Sequence, residues 1–374
     1  MLLETYLLIQ IALIPVIVKE FQLGLLEASL VATVPSIVQL LMNIPTGFLA
    51  DRISAHHLLF ASMLIEGLSA LLVSLTTSFW ALVLGVSLMR ISIPLYHICG
   101  LSQVSKLAKP AQLNRSMGVH NAFGSFGSAL GLISLGVFLS TVGWRWTYLF
   151  WSVPVLAWGF LVLISSELKA DSIGEIKTMT VWSLRRLSFI VSSGLLIFLI
   201  AIAIRDVGAT GSSTFMTTYF VETRNLSDSV ASLIFALGTF IGIFGALGGG
   251  YLGQRMGAKK ALSSTIIGCA ISLLVLSIVS GLYLLILLYI IYSFFSNAVW
   301  SPMNALVADI TPASEQGLGF SVYFLTGAIT GSIAPTAAAS VIVLSDVWFV
   351  FPYSVLFFIL SLAILQFLRH PSKQ

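Results

Sequence analysis

The chain has 374 residues, of which 58% are hydrophobic and only 9% charged, with a formal net charge of +4. Soluble domains carry roughly 25% charged residues, so this composition excludes a soluble globule and predicts an integral membrane protein. A membrane-spanning helix needs about 20 apolar residues, and twelve such helices would use nearly the whole chain. The basic residues lie singly or in pairs between apolar stretches, which argues against nucleic-acid binding.

Charged and turn-forming residues divide the apolar sequence into twelve predicted helices, called spans 1 to 12. Their predicted ranges are 2–18, 25–50, 57–78, 80–105, 116–142, 146–166, 188–221, 229–253, 260–280, 282–308, 316–344 and 347–368. The charge-rich stretch 167–187 is predicted to be a cytoplasmic linker. It would join an N-terminal six-helix bundle, 1–166, to a C-terminal six-helix bundle, 188–374.

The basic residues predict the orientation of these spans. With the N-terminus inside, thirteen Lys and Arg residues fall on the cytoplasmic side and three fall outside, namely Lys19, Arg145 and Arg224. Cytoplasmic loops of membrane proteins carry an excess of Lys and Arg. We therefore expect a multi-pass protein of the plasma membrane with both termini in the cytoplasm.

The two predicted bundles repeat each other in sequence. GFLADRISAHH, beginning at Gly47, aligns with GYLGQRMGAKK, beginning at Gly250, and the same offset carries Gly124 onto Gly327. Parallel repeats of six helices are typical of alternating-access transporters, whose substrate site lies near the bilayer midplane between the repeats.

These repeats resemble the signature loop of the major facilitator superfamily (MFS). The resemblance extends to LGVSLMRISIP around Arg90, and PLYHICGLSQVSKL with NRSMGVHNAFGSFGSALG is similar to the fosmidomycin-resistance-like efflux branch. The signature loops hold Gly47, Asp51, Arg52, Gly250, Arg255, Gly257, Lys259 and Lys260. The resemblance implies an all-α integral membrane protein with twelve transmembrane helices in two six-helix pseudo-symmetric bundles. It also implies a transporter and not an enzyme, with no cofactor and no bound metal.

The first signature loop suggests a gate at the cytoplasmic ends of the spans. Gly47 permits close helix approach, and Asp51 can bind the exposed amides at the positive end of a helix in the other half. Arg52 can pair across the same rim. These contacts would favour the conformation with a closed cytoplasmic side. Alternatively, the charges lie at the interface and only set the topology.

A second set of candidates lies at membrane depth in the first half. Glu66 and Arg90 lie at similar depth on consecutive spans, so they could form a structural ion pair or handle substrate or protons. His97 follows Arg90 by seven residues on the same helix face, beside Tyr96, and could couple proton movement to transport. It could equally be a helix-packing residue, with His120 as a possible partner.

Span 7 carries Arg205 and Asp206 near its middle. Neighbouring side chains on a helix point about 100° apart, so we expect that these two do not pair face to face. Gly208 and Gly211 are expected to loosen the helix there. The resemblance places Arg90 and Arg205 around one central cavity, which favours an anionic substrate such as a carboxylate or phosphonate. If Asp206 and Glu4 neutralise the arginines, the substrate is uncharged.

The expected function is proton-coupled export of a small organic molecule or drug by alternating access. The expected partners are that substrate, protons and the lipid bilayer, with a monomeric protein and no nucleic acid. The alternatives are uptake or exchange of an organic anion, and a membrane receptor or scaffold that keeps the fold without transport.

Overall fold

The computed structural model describes residues 1–6, 9, 13, 16–17, 20–22, 25–164, 194–226 and 228–368. The predicted linker 167–187, most of span 1 and the predicted start of span 7 at 188–193 lie outside the described residues. Within the described ranges every regular element is helical. Nine helices in these ranges are long and apolar enough to cross a membrane, and the shorter apolar helix Val34–Ala50 adds part of span 2.

The helices follow the predicted order of spans. Span 1 opens with the 3-10 helix Leu2–Tyr6. Spans 2 to 6 are the helices Leu25–Ala50, Ala55–Ser74, Phe79–Leu107, Leu113–Thr141 and Arg145–Ile164. Spans 7 to 9 are Leu195–Thr218, Asp228–Met256 and Ala258–Ile278, and span 10 is formed by Leu282–Ala298 and Trp300–Ile310. Spans 11 and 12 are Gln316–Leu344 and Val350–Gln366.

Two spans differ from their predicted form. Span 10 is interrupted at Val299, because Pro302 has no amide hydrogen to bond the carbonyl of Ala298 four residues earlier. Span 7 was expected to loosen at Gly208 and Gly211, but its helix runs unbroken through both. That prediction was wrong. At Gly208 a side chain would lie 2.9 Å from the Ser354 carbonyl oxygen of span 12, so this glycine permits close helix packing.

The described chain divides into two compact units. The first unit contains Met1–Lys106, Phe123–Trp182 and Ser314–Val322, and the second contains Leu107–Ala122, Ser183–Ala313 and Tyr323–Gln374. The beginning of span 5 therefore belongs to the second unit and the beginning of span 11 to the first. The predicted division into bundles 1–166 and 188–374 stays a prediction.

Each unit has a core made by close helix contacts. In the first unit, Tyr6 stacks on Tyr148 of span 6 with ring centroids 5.6 Å apart. Gly131 of span 5 lies directly against the backbone of Thr5, where any side chain would overlap it. In the second unit, Gly249 of span 8 lies against the carbonyl of Ala298 in span 10. Small residues at such crossings let membrane helices pack closely.

Candidate functional site

The end of span 2 binds the beginning of span 11 within the first unit. The Asp51 carboxylate accepts hydrogen bonds from the backbone amides of Gly317, at 2.7 Å, and Leu318, at 3.1 Å. These two amides lie in the first turn of span 11, where no intrahelical carbonyl is available to them. Asp51 thus binds exposed amides at the beginning of a helix, the kind of contact that the sequence suggests. Its role as a gate stays a prediction.

Neighbouring residues complete this contact. Gly47 lies so close to span 11 that a methyl group at this position would overlap Ser321 and approach the Gly317 carbonyl oxygen to 3.1 Å. The Ser321 hydroxyl donates to the Asn43 carbonyl at 2.5 Å. The Ser105 hydroxyl of span 4 donates to the side-chain oxygen of Gln316, the first residue of span 11. These hydrogen bonds join spans 2, 4 and 11 at one end, and the lack of a side chain at Gly47 lets spans 2 and 11 approach closely.

The Asp51 carboxyl has a raised pKa in this contact. Burial raises its pKa from an ordinary value of 3.8 to about 6, although the two amide hydrogen bonds and the charge of Lys106 oppose that rise. The negative charge of Glu315 adds to it. The contact therefore takes up a proton at a pH well above that of a solvated aspartate.

The second copy of the signature loop forms a different contact, within the second unit. Gly250 of span 8 faces Gly118 of span 5, where an added Cβ would lie 3.0 Å from the opposing Cα. A side chain at Gly253 would overlap the amide of Asn114, which is buried. Nearby, the Asn304 amide donates to Asn121 Oδ1 at 3.3 Å. The second contact thus relies on glycines and amides, where the first relies on a carboxylate.

Three basic residues of the two loops have partners near helix ends, two on their own helix and one on span 12. The guanidinium of Arg52 lies 5.8 Å from the ring centroid of Phe48, and that of Arg255 lies 4.6 Å from the ring centroid of Tyr251. The Lys259 ammonium donates to the carbonyls of Gln366 and Leu368 at 3.3 and 2.7 Å, which caps the end of span 12. Gly257 adopts a φ of +83° before span 9, and Lys260 is exposed.

Glu66 and Arg90 lie in a buried polar cluster of the first unit. Glu66 is 2% exposed and accepts a hydrogen bond from the Ser92 hydroxyl of span 4. An Arg90 Nη1 hydrogen is donated to the side-chain oxygen of Gln39 on span 2 at 3.3 Å. Glu66 and Arg90 also lie within electrostatic range of each other. The cluster therefore connects spans 2, 3 and 4, and neither role predicted for the two charged residues is tested by it.

His97 has a carboxylate partner in the same unit. Its Nε2 lies 3.1 Å from Glu4 Oε1, and the Glu4 residue is 8% exposed. Tyr96 lies beside it, with ring centroids 5.1 Å apart. His120, suggested from the sequence as a partner, lies half-buried on span 5. Glu4 is at the start of the chain and 93 positions from His97, so sequence periodicity gave no signal for this pair.

The Arg205 and Asp206 side chains form an ion pair, which corrects the prediction from the sequence. Arg205 Nη1 lies 2.8 Å from Asp206 Oδ1, and the two side chains are 4% and 14% exposed. Helix geometry fixes only the directions of the Cβ atoms. An arginine side chain is long and flexible enough to curve around the helix to its neighbour, and burial away from water favours this pairing.

Aromatic and polar side chains of three further spans surround this ion pair in the second unit. Cys269 of span 9 and Tyr292 of span 10 lie within electrostatic range of Arg205. Tyr323 of span 11 lies within the same range of both Arg205 and Asp206. Ser212 of span 7 is 3.0 Å from the Tyr292 hydroxyl. The described residues contain no group of three His, Cys, Asp or Glu side chains that could hold a metal ion.

These features agree with the comparison of the sequence to protein families. The family model described as Major Facilitator Superfamily matches residues 5–335 and 198–374. The chain belongs to the Major Facilitator Superfamily. The resemblance predicted from the signature loops is confirmed, and the all-α membrane fold with it. This chain is a multi-pass membrane transporter for small molecules and not an enzyme.

Individual relatives are distant. The chain is 24% identical over 333 residues to the fosmidomycin resistance protein of Escherichia coli strain K12, covering 87% of this chain and 81% of that protein. It is 23% identical over 347 residues to the nitrite extrusion protein of Bacillus subtilis strain 168, covering 88% and 82%. A crystal structure of the MFS transporter FucP in the outward conformation superposes with a TM-score of 0.80, at 16% identity, over 98% of this chain and 97% of that chain. That likeness supports the fold alone.

Proposed function

We propose that this transporter exports a small organic molecule across the plasma membrane in exchange for protons, as a monomer with both termini in the cytoplasm. The observation that carries the proton coupling is the pair of the half-buried His97 and the buried Glu4, whose Nε2 and Oε1 atoms are 3.1 Å apart. Export is supported by the two relatives, which are named for resistance and for extrusion.

The pair of His97 and Glu4 is suited to carrying a proton. Histidine is the side chain whose unperturbed charge change falls near physiological pH. The Glu4 carboxylate lies 3.1 Å from the His97 ring nitrogen Nε2. The surrounding groups are also titratable or charged. Tyr96 adjoins the ring, and Glu66, itself near Arg90, interacts electrostatically with Glu4. The pair joins Glu4 to span 4, so a change at this pair would also act on helix packing.

The contact of Asp51 with span 11 supplies the proposed gate. We infer that this contact and the glycine contact around Gly250 stabilise the conformation with a closed cytoplasmic side. A conformational equilibrium responds to any group that binds one state better than the other. Breaking the Asp51 contact should therefore favour the opposite conformation and slow the transport cycle.

The test is proton-gradient-dependent flux in everted membrane vesicles with an acidified interior. Uncharged chloramphenicol, fosmidomycin and nitrite serve as named probes within a wider panel of antibiotic-sized molecules. An exported molecule should enter these vesicles and release interior protons, which a pH-sensitive dye reports. Vesicles that contain the Asp51→Asn variant at the same protein level serve as the control. Proton release that is equal with and without the transporter, for every molecule in the panel, would contradict the proposal.

Uptake or exchange of an organic anion is the second candidate. Arg205 is a buried cation and Arg90 a half-buried one, and guanidinium groups bind carboxylates and phosphonates well. The same vesicles separate the two candidates. Anion uptake would be driven in the opposite direction, and nitrite or fosmidomycin would then collapse the proton gradient only in right-side-out vesicles.

A further inference from the structure

The buried ion pair in span 7 leaves part of a guanidinium group without a partner. Arg205 is 3% exposed, and its Nε is buried with no hydrogen-bond partner among the described residues. Asp206 occupies only Nη1. A buried donor that lacks an acceptor is destabilising, so such groups in native proteins usually have a partner. The Nε edge of Arg205 is therefore available for a hydrogen-bond acceptor from outside the chain.

The position of Arg205 on its helix shows which neighbouring spans face this side of span 7. Phe198 and Ser212 lie seven residues before and after it, which places all three on one face of span 7. Phe198 packs against Tyr323 of span 11, with ring centroids 6.3 Å apart, and Ser212 contacts Tyr292 of span 10. The Arg205 face of span 7 therefore points toward spans 10 and 11 within the second unit.

Tyr323 supplies a second group that lacks a partner. Its hydroxyl is buried and has no hydrogen-bond partner in the described part of the chain, and the residue is 4% exposed. It lies within electrostatic range of Arg205 and Asp206. Two buried donors of different spans, within electrostatic range of each other, thus both lack an acceptor among the described residues.

The charge of this region decides which acceptor it can take. Arg205 and Asp206 carry one positive and one negative charge, 2.8 Å apart, so their sum is zero. A second anion beside Arg205 would lie close to the Asp206 carboxylate, in surroundings where water screens little of the repulsion. An uncharged acceptor, such as an amide or ketone oxygen, can bind the free N–H without that penalty.

We propose that Arg205 Nε, with the Tyr323 hydroxyl, forms a binding subsite for a hydrogen-bond acceptor on an uncharged substrate, and that Asp206 excludes anions from this subsite. The inference rests on the proposed function and assigns a substrate class to it. Asp206 acts here as a positioning and specificity residue. It holds the guanidinium through Nη1 and cancels its charge.

Acetamide and acetate provide a matched pair of probes, because they have nearly the same shape and differ in charge. The measurement is the thermal unfolding of the purified protein with either probe, at equal concentration and constant ionic strength. Acetamide should stabilise the wild-type protein more than acetate does. In Asp206→Asn the unpaired guanidinium should bind acetate about tenfold more tightly than in the wild type, the gain expected from one charge-assisted hydrogen bond.

Two further variants separate this result from simple misfolding. The double variant Arg205→Gln with Asp206→Asn removes both charges, so it should fold and respond equally to the two probes. Asp206→Glu keeps the charge and should keep the wild-type order. If Asp206→Asn has a low melting temperature without a probe, acetate, but not acetamide, should restore the melting temperature. That recovery would itself show the predicted gain in acetate binding.

Three outcomes would overturn the proposal. They are a wild-type protein stabilised by acetate as much as by acetamide, a wild-type protein that responds to neither, and an Asp206→Asn variant that gains no response to acetate. The assay is an equilibrium measurement without a proton gradient. Proton release in vesicles can therefore succeed while this proposal fails, and the two failures are distinguishable.

Discussion

The contact of Asp51 with the first turn of span 11 should tighten as the pH falls. The pKa of its carboxyl is about 6 in the contact and 3.8 when the group is solvated. Between pH 3.8 and about pH 6 the closed contact therefore binds more protons than the open form. The contact becomes more stable as the pH falls through about 6 and less stable as the pH rises. From pH 7 to pH 5 the difference amounts to about 1.3 kcal/mol, or close to tenfold in the equilibrium.

Cysteine labelling measures this equilibrium directly. Ser321 is fully buried in the contact and can be replaced by cysteine with little change of shape, while Ser314, just before span 11, is exposed. The native cysteines, Cys99 and Cys269, are both buried. The labelling rate of Ser321→Cys by a water-soluble maleimide, divided by that of Ser314→Cys at the same pH, reports the open fraction. It should fall about tenfold between pH 7 and pH 5.

The Asp51→Asn substitution is the control for this experiment. It keeps the shape of the side chain but cannot titrate, so the ratio of labelling rates should become independent of pH. A ratio that stays constant in the wild-type background would refute the assignment of a raised pKa to Asp51. A pH dependence that persists in Asp51→Asn would show that another group carries it.

Three further predictions concern stability. Gly47→Ala should destabilise the protein by at least about 2 kcal/mol through overlap with span 11, whereas Gly327→Ala, where an added methyl group has open space, should be neutral in the same thermal unfolding assay. Lys259→Met should lower the free energy of unfolding by about 1 kcal/mol, because the carbonyls at the end of span 12 lose their donor. Amide hydrogen exchange should become faster at that end of span 12 and stay unchanged elsewhere. Glu20→Gln removes an ion pair in which Arg145 Nη2 lies 2.6 Å from Glu20 Oε1, and both side chains are about one-third exposed. The free energy of unfolding should fall by at most about 1 kcal/mol, and by less at high salt. An equal effect of Glu20→Gln at low and high salt would contradict that electrostatic reading.

Much of the fold was predictable because the chemistry of the bilayer restricts the choices. Apolar stretches of about 20 residues must become helices, since unpaired backbone groups are costly in lipid. The contact of Asp51 was predictable for a related reason. A carboxylate at the end of one helix and unsatisfied amides at the beginning of another are complementary, wherever the chain brings them together.

The buried clusters were less predictable because they depend on side-chain torsions and on pairings between distant spans. Helical periodicity points the Cβ atoms of Arg205 and Asp206 in different directions, but the flexible arginine side chain still reaches its neighbour. The partner of His97 is Glu4, and nothing in the local pattern of span 4 points to it. Gly208 illustrates the same limit. A glycine at this position suggests a flexible helix, but in the structure Gly208 allows span 7 to pack closely against span 12.

The pH profile of transport in His97→Gln tests proton coupling through the pair of His97 and Glu4 most directly. The rate of probe-driven proton release is measured from about pH 5.5 to 8, the range in which histidine changes its charge. His57→Gln, which changes an exposed histidine in the first turn of span 3, is the matched control. We predict that the wild type and His57→Gln share one pH-dependent profile and that His97→Gln gives a flat one. Parallel profiles for the wild type and His97→Gln would contradict coupling through this pair.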